Sequence, residues 1–225
     1  MMNNEQLLVN MTIDLFEAKS DAKRSGQNKA YMKHKFSFIG IITADRRFIT
    51  KEIMKMFPFS DIKSVTNVVK ILWQMDQREY HHAAIDILAH YHKLWQPDII
   101  ELIEYCLLNH SWWDSVDNLN IACVGRYFSM FPNALDITTR WNNTDNIWLQ
   151  RSSIIFQKPY KKKTDSELLA AHISKVAESK DFFVRKAIGW ALREYAKTNK
   201  EWVIDFVANN SLHSLSRREA IKHLG

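Results

Sequence analysis

The stretch Val184-Arg-Lys-Ala-Ile-Gly-Trp-Ala-Leu192 decides the fold, because it has counterparts elsewhere in the chain. Tyr80-His-His-Ala-Ala-Ile-Asp-Ile-Leu88 and Leu149-Gln-Arg-Ser-Ser-Ile-Ile-Phe156 share its pattern: a hydrophobe, two polar positions, two small or apolar ones, then an apolar run. The blocks at 149 and 184 start 35 residues apart, and those at 80 and 149 start 69 apart, about twice that spacing. One more unit is due near residue 115, where Trp112-Trp-Asp-Ser-Val-Asp-Asn-Leu-Asn-Ile-Ala122 stands. Helical periodicity inside a repeat of this length marks stacked helix pairs, each needing its neighbours to bury its apolar face.

The rest of the chain agrees. Apolar residues recur at helical spacing over about Glu5–Lys19, Gly26–Met32, Ala44–Phe57, Ser60–Gln74, Gln77–Leu94, Pro97–Asn109, Ser111–Met130, Pro132–Thr139, Asp145–Gln157, Asp165–Glu178, Asp181–Lys197, Lys200–Asn209 and Ser214–Leu224. Thr43, Asp76, Ser111, Asp165 and Ser214 are the expected starts, where a short side chain accepts from first-turn amides. With 46% hydrophobic residues, eight Trp, seven Tyr and twelve Phe, the chain is too apolar to remain disordered. Five Gly and four Pro in 225 residues are too few for the turns of a β sandwich or barrel. The expected architecture is all-α: a superhelical solenoid of antiparallel HEAT-like helix pairs, one domain over residues 1–225, with a concave ligand face.

Cys106 and Cys123 lie singly in apolar runs, which reads as buried thiols and as no metal site or disulfide framework. No apolar stretch reaches the length of a membrane span, and Met1–Asn10 has neither a basic leader nor a cleavage site, so a cytoplasmic monomer without membrane contact is expected. His81-His82 and His90-x-His92 lack any metal-binding framework and read as surface groups. Lys161-Lys-Lys163 reads as a solvated loop or, alternatively, as a contact to backbone phosphate. The formal charge of +6 permits a polyanionic partner and argues for one only through its placement.

Placement follows from the repeat. Equivalent positions of successive units line one face, and His82, Asp117, Arg151 and Lys186 fall 35, 34 and 35 residues apart. In the last unit Val184, Ala187, Ile188, Ala191, Leu192 and Tyr195 form a core stripe, leaving Lys186, Trp190, Arg193 and Lys197 opposite. Such a face is either a solvated charged surface or a nucleic-acid contact, with cations on phosphates and the ring on a sugar or base. Arg151 is the only formal charge between Ile147 and Phe156 and must find an anion, either Asp145 or Glu167 within the chain or a phosphate. In Ser111-Trp-Trp-Asp-Ser-Val-Asp117 the Ser111 and Asp114 spacing resembles a capping box, and Trp112 joins a core stripe with Val116, Leu119 and Cys123. Trp113 and Asp117 then share the next face, one turn apart. Asp117 is either a helix-face ion pair or a carboxylate set where positive charge develops, as on a deoxyribose during glycosidic cleavage.

At these residues the sequence resembles the AlkD-type alkylpurine DNA glycosylases, a family of HEAT-like superhelices. The resemblance runs from about Lys29 to the C-terminus. It rests on Tyr31-Met-Lys-His-Lys-Phe-Ser-Phe-Ile-Gly40, Thr43-Ala-Asp-Arg-Arg47, Leu72-Trp73, Arg78-Glu-Tyr80, Ser111-Trp-Trp-Asp-Ser-Val-Asp117, Asn146-Ile-Trp-Leu-Gln-Arg151, Lys186-Ala-Ile-Gly-Trp-Ala-Leu-Arg-Glu-Tyr195 and Leu215-Ser-Arg-Arg-Glu-Ala-Ile-Lys-His223. It implies hydrolysis of the N-glycosidic bond of cationic N3- and N7-alkylated purines in duplex DNA, leaving an abasic site, with no cofactor. It further implies a cleft lined by Trp113, Asp117, Arg151 and Trp190, with Tyr31 helping to close it. Asp117 would stabilise the sugar cation and orient water, Trp113 and Trp190 would face the lesion nucleotide, and Arg151 would hold a phosphate. Tyr31, Arg47, Lys186, Arg193, Arg217 and Arg218 are the expected DNA contacts. No lysine of the row is placed for Schiff-base chemistry, which favours simple hydrolysis. The competing expectation is a non-catalytic helical-repeat module that binds a DNA structure or a protein through the same face.

Overall fold

A computed structural model describes residues 3–222, and among these the regular structure is helical, with one isolated bridge between Ser37 and Gln77. The helices are α1 Asn4–Glu17, α2 Ala22–Tyr31, α3 Thr43–Met56, α4 Ile62–Trp73, α5 Arg78–His90, α6 Ile99–Leu108, α7 Trp113–Leu119, α8 Gly125–Met130, α9 Asp136–Asn142, α10 Ile147–Ile155, α11 Ser166–Val176, α12 Phe182–Ala196, α13 Lys200–Asn209 and α14 Ser214–Ile221. The end of the expected helix Ser214–Leu224 lies outside the described residues. Two compact units result, residues 1–102 and 103–225, divided within α6.

In the first unit α1 packs on α3 and α4, and α5 on α3 and α4. The buried faces carry Leu8, Phe16, Ile53, Val65, Leu72, Trp73, Ile85 and Leu88 at helical spacing. The segment between α2 and α3 is fastened by α5: Glu79 accepts from the amides of Ile39 and Gly40 at 3.0 and 2.9 Å, and Arg78 N–H donates to the Ser37 carbonyl. The Arg78 guanidinium is fully buried, 4.0 Å from the Phe36 ring. His81 corrects the surface reading. It is buried in this core, with Nδ1 3.0 Å from Arg78 Nη1, Nε2 2.8 Å from the Met75 carbonyl, and its ring on Trp73. A buried imidazole is tolerable because both nitrogens have partners.

In the second unit α10 packs against α7, α9, α11 and α12, and α12 against α13 and α14. Its core gathers Ile154, Ile155, Leu169, Ile173, Val184, Ile188, Leu192, Val203 and Ala220. Cys106 and Cys123 are buried free thiols.

Several helix starts differ from the sequence expectation. Asp165 caps α11, accepting from Leu168 N–H at 3.0 Å. Thr43, Asp76, Ser111 and Ser214 do not cap; the N-cap positions belong to Ile42, Gln77, Trp112 and His213. Ser111 instead donates to the Leu107 carbonyl, so the Ser111–Asp114 capping box does not form. Helix α2 starts at Ala22 rather than Gly26 because Asp21 accepts from Arg24 N–H; with no buried residue it has no apolar stripe to read. The expected helix Ser111–Met130 is continuous but irregular: a π-helical turn, Asn120–Val124, separates α7 from α8.

Candidate active site

The site grows from Arg151, in the middle of α10. Asn146 starts that helix by accepting from Trp148 and Leu149 N–H at 3.0 and 3.2 Å. From Trp148 the helix is buried nearly all round, and Arg151 is only 4% exposed. A guanidinium removed from water must be both paired and hydrogen-bonded. Nε donates to Asp117 Oδ1 at 2.7 Å, Nη2 to Asp117 Oδ2 at 2.8 Å, and Nη1 to the Phe183 carbonyl at 2.7 Å. The anion is therefore a carboxylate of the chain, and it is Asp117 rather than Asp145 or Glu167. Three of the five N–H groups of the fork are thereby committed within the chain, which leaves one on each Nη for a further acceptor such as a phosphate.

Asp117 is held from its own side too. Asn120, three residues on and fully buried, donates from Nδ2 to the Val116 carbonyl and to Ser152 Oγ, both at 2.8 Å. Ser152 follows Arg151, so this bond sets the register between α7 and α10 next to the ion pair. Phe183 is fixed by the Asp181 cap of α12 and by ring contacts at 5.0 Å with both Trp112 and Trp148. The Asp117 side chain keeps 16% of its surface open, against 5% for Arg151. The carboxylate is thus rigidly aimed yet reachable, since two oxygens offer about four acceptor positions and Arg151 uses two.

Trp190 of α12 completes the group. It is half-buried against the core, with Arg151 Cζ 5.7 Å and Lys158 Nζ 2.7 Å from its ring centroid. Lys158 opens a 3-10 stretch, Lys158–Lys163, that follows α10. Sequence reasoning passed over it because only Lys161–Lys163 stand out as a basic run; those three are exposed, whereas Lys158 turns inward. Burial pulls its ammonium down to about 8 from an ordinary 10.5, while Glu194 and Asp117 oppose that shift.

The remaining expected residues are placed as follows. Trp113 is half-buried on α7, one turn before Asp117. Lys186 and Arg193, expected as free cations, share Glu219 of α14, at 2.9 and 2.6 Å from its two oxygens, and Lys197 pairs with Glu194. The repeat frame could not show Glu219, because a carboxylate from α14 lies outside it. Arg217 donates to the Asn210 carbonyl at 3.2 Å, and Arg218 is exposed. In the first unit Tyr31 is 71% exposed and Arg47 is exposed on α3, while the neighbouring Arg46 is buried and pairs with Asp86 at 2.5 Å.

Glu219 makes a measurable prediction. Hydrogen bonds from Lys186 and Arg193 hold its carboxyl at about 2, below the ordinary 4.5. A depressed carboxyl contributes stability that is fully present above about pH 4.5 and lost as pH falls towards 2. Glu219→Gln is expected to cost about 2 kcal/mol at neutral pH and to flatten the acid limb of a urea-melt stability profile over that interval.

An all-helical chain with an aromatic ring and an aimed carboxylate on neighbouring helices has the make-up of a helical-repeat DNA repair protein. The chain belongs to the family of DNA alkylation repair enzymes, whose model matches residues 12–224. Among solved structures it is similar to a predicted DNA alkylation repair enzyme of Enterococcus faecalis, at 29% identity and a TM-score of 0.86, over 92% of this chain and 97% of that one. The protein smu.31 of Streptococcus mutans UA159 shares the fold at 15% identity and a TM-score of 0.65, covering 98% and 99% of the two chains. AlkD2 from Streptococcus mutans does so at 17% and 0.64, covering 88% and 98%. No curated protein matches the chain.

Proposed function

We propose that this protein is a monofunctional DNA glycosylase that releases cationic N3- and N7-alkylated purines from double-stranded DNA as a monomer in the cytoplasm. The supporting observation is the Asp117 carboxylate, partly open and gripped at both oxygens by a buried guanidinium that lies 5.7 Å from the Trp190 ring centroid. Alkylation at N3 or N7 already gives the base its positive charge. When the C1′–N bond breaks, its electron pair leaves with the base, which departs neutral, and the positive charge passes to the sugar. Asp117 faces that charge and orients a water whose oxygen bonds to C1′ while its proton passes to the carboxylate or to solvent. Arg151 acts as a positioning residue through Asp117. Trp190 and Trp113 face the lesion nucleotide. Arg217 and Arg218 contact DNA, the Lys186–Arg193–Glu219 trio adds the one positive charge it has left over, and Tyr31 and Arg47 are DNA contacts of the first unit.

The second reading is a binding module in which the Asp117–Arg151 pair is purely structural, and the completeness of that pair favours it. Release of free 7-methylguanine from methylated duplex DNA by the wild type and by Asp117→Asn separates the two. Release by the wild type alone supports the glycosylase with Asp117 in its mechanism; equal activity overturns the role of Asp117, and inactivity of both overturns the glycosylase.

A further inference from the structure

Between α10 and α11 the chain leaves the helix pairs and runs through Lys158-Pro-Tyr-Lys-Lys-Lys163. The loop is pinned. At its base Gln157 donates to the Asp165 carbonyl at 3.1 Å and accepts from the Asp165 amide at 2.8 Å. In its middle the Tyr160 hydroxyl donates to the Gly125 carbonyl at 2.6 Å. Lys161 is held at a φ of 54° and a ψ of −115°, a turn conformation suited to glycine and strained for a lysine. The loop therefore has a fixed shape, and it carries four lysines.

The pairing of these lysines sets them apart. Lys186, Arg193 and Lys197 of α12 each have a carboxylate of the chain. Among the described residues, none of the four loop ammonium groups has an ion pair or a hydrogen bond. For Lys161, Lys162 and Lys163, which are exposed, water suffices. Lys158 is half-buried beside Trp190, where an ammonium that gives up water without an acceptor is costly. The charges acting on it are Glu194 and Asp117, which favour the ammonium, and Arg151 and Lys197, which repel it. An acceptor supplied from outside would remove that cost, and it would have to be an anion that reaches the neighbourhood of Asp117 and Arg151.

We propose that the loop is a clamp for the DNA backbone, in which Lys158 takes a phosphate of the strand that carries the lesion and Lys161, Lys162 and Lys163 follow the same backbone outward. The placement on the lesion strand rests on the glycosylase reading. A backbone phosphate fits because it arrives with the sugar that Asp117 faces, and because a run of phosphates matches a run of cations.

The test is equilibrium binding to a duplex with one tetrahydrofuran residue, a stable analogue of the abasic product, over a series of salt concentrations. Lys158→Met keeps the apolar stem and is expected to weaken binding about tenfold and to lower the slope of log affinity against log salt by about one. Replacing Lys161, Lys162 and Lys163 together by Gln should lower it by about two to three. A neutral methylphosphonate is then placed at each phosphate flanking the tetrahydrofuran in turn. At one position it should weaken the wild type about tenfold and leave Lys158→Met no weaker than before. Wild-type affinity should also fall as pH rises above about 8, where free Lys158 loses its proton, and Lys158→Arg should bind without that fall. Salt slopes unchanged in both variants, or methylphosphonates that weaken wild type and Lys158→Met alike at every position, overturn the clamp. A protein that shows the clamp on this duplex yet releases no 7-methylguanine overturns the glycosylase reading alone.

Discussion

Asp117→Asn is expected to slow release of 7-methylguanine from methylated duplex DNA by about a thousandfold, the scale on which a preorganised electrostatic partner of a transition state acts. The amide still fits between Arg151 and solvent but has no charge to set against the sugar cation. The substitution also leaves Arg151 buried beside a neutral group, and breaking a buried pair from one side costs about 3 kcal/mol. Lost activity could then reflect a weakened fold, and a double variant resolves this. Asp117→Asn combined with Arg151→Met replaces the stranded guanidinium by an apolar chain and is expected to recover most of the lost stability, since buried pairs exchange for apolar groups at little cost. It should remain inactive. Recovery of activity together with stability would show that Asp117 serves the fold alone.

Gly189→Ala is expected to destabilise the protein by about 3 kcal/mol, as overpacking of a tight interface does. In an exposed helix interior the same change would gain about 1 kcal/mol. Here a β-carbon would overlap the Glu219 Cβ and stand 2.7 Å from the Ser216 carbonyl oxygen. The carbonyl is backbone and cannot swing aside, so α12 and α14 must part. Glu219 would move with α14, loosening its hold on Lys186 and Arg193, and Trp190 is the next residue along α12. Thermal unfolding by circular dichroism checks the cost; an unchanged or raised midpoint would mean the two helices do not approach this closely.

The helices were legible because each unit repeats a buried stripe, and periodicity detects a stripe. Helix α2 was misplaced for the same reason, since its start depends on the Asp21 cap alone. The positions 117, 151 and 190 could be grouped from spacing because α7, α10 and α12 are neighbours. The partner of Arg151 could not be read, because the frame ranks positions along a face and does not say which side chains turn toward each other. Lys158 escaped for a different reason. It belongs to an irregular segment with no repeat counterpart, and its inward course depends on the 3-10 stretch after α10. His81 shows the limit of composition, since a histidine is polar by type yet can be core when both nitrogens are bonded.

The π turn at Asn120–Val124 makes the aim of Asp117 depend on a count of residues. An α-helix advances about 100° per residue, and a π turn accommodates one residue more than an α turn. Tyr127 and Phe128, downstream, are locked in the core, while Asp117, upstream, must meet Arg151. Removing any one residue from the turn would regularise the helix and rotate the carboxylate by about a quarter of a circle against its fixed partner. A descendant of this chain could thus keep its core and its side chains at the site, and still be disarmed by a single deletion several residues from the acid.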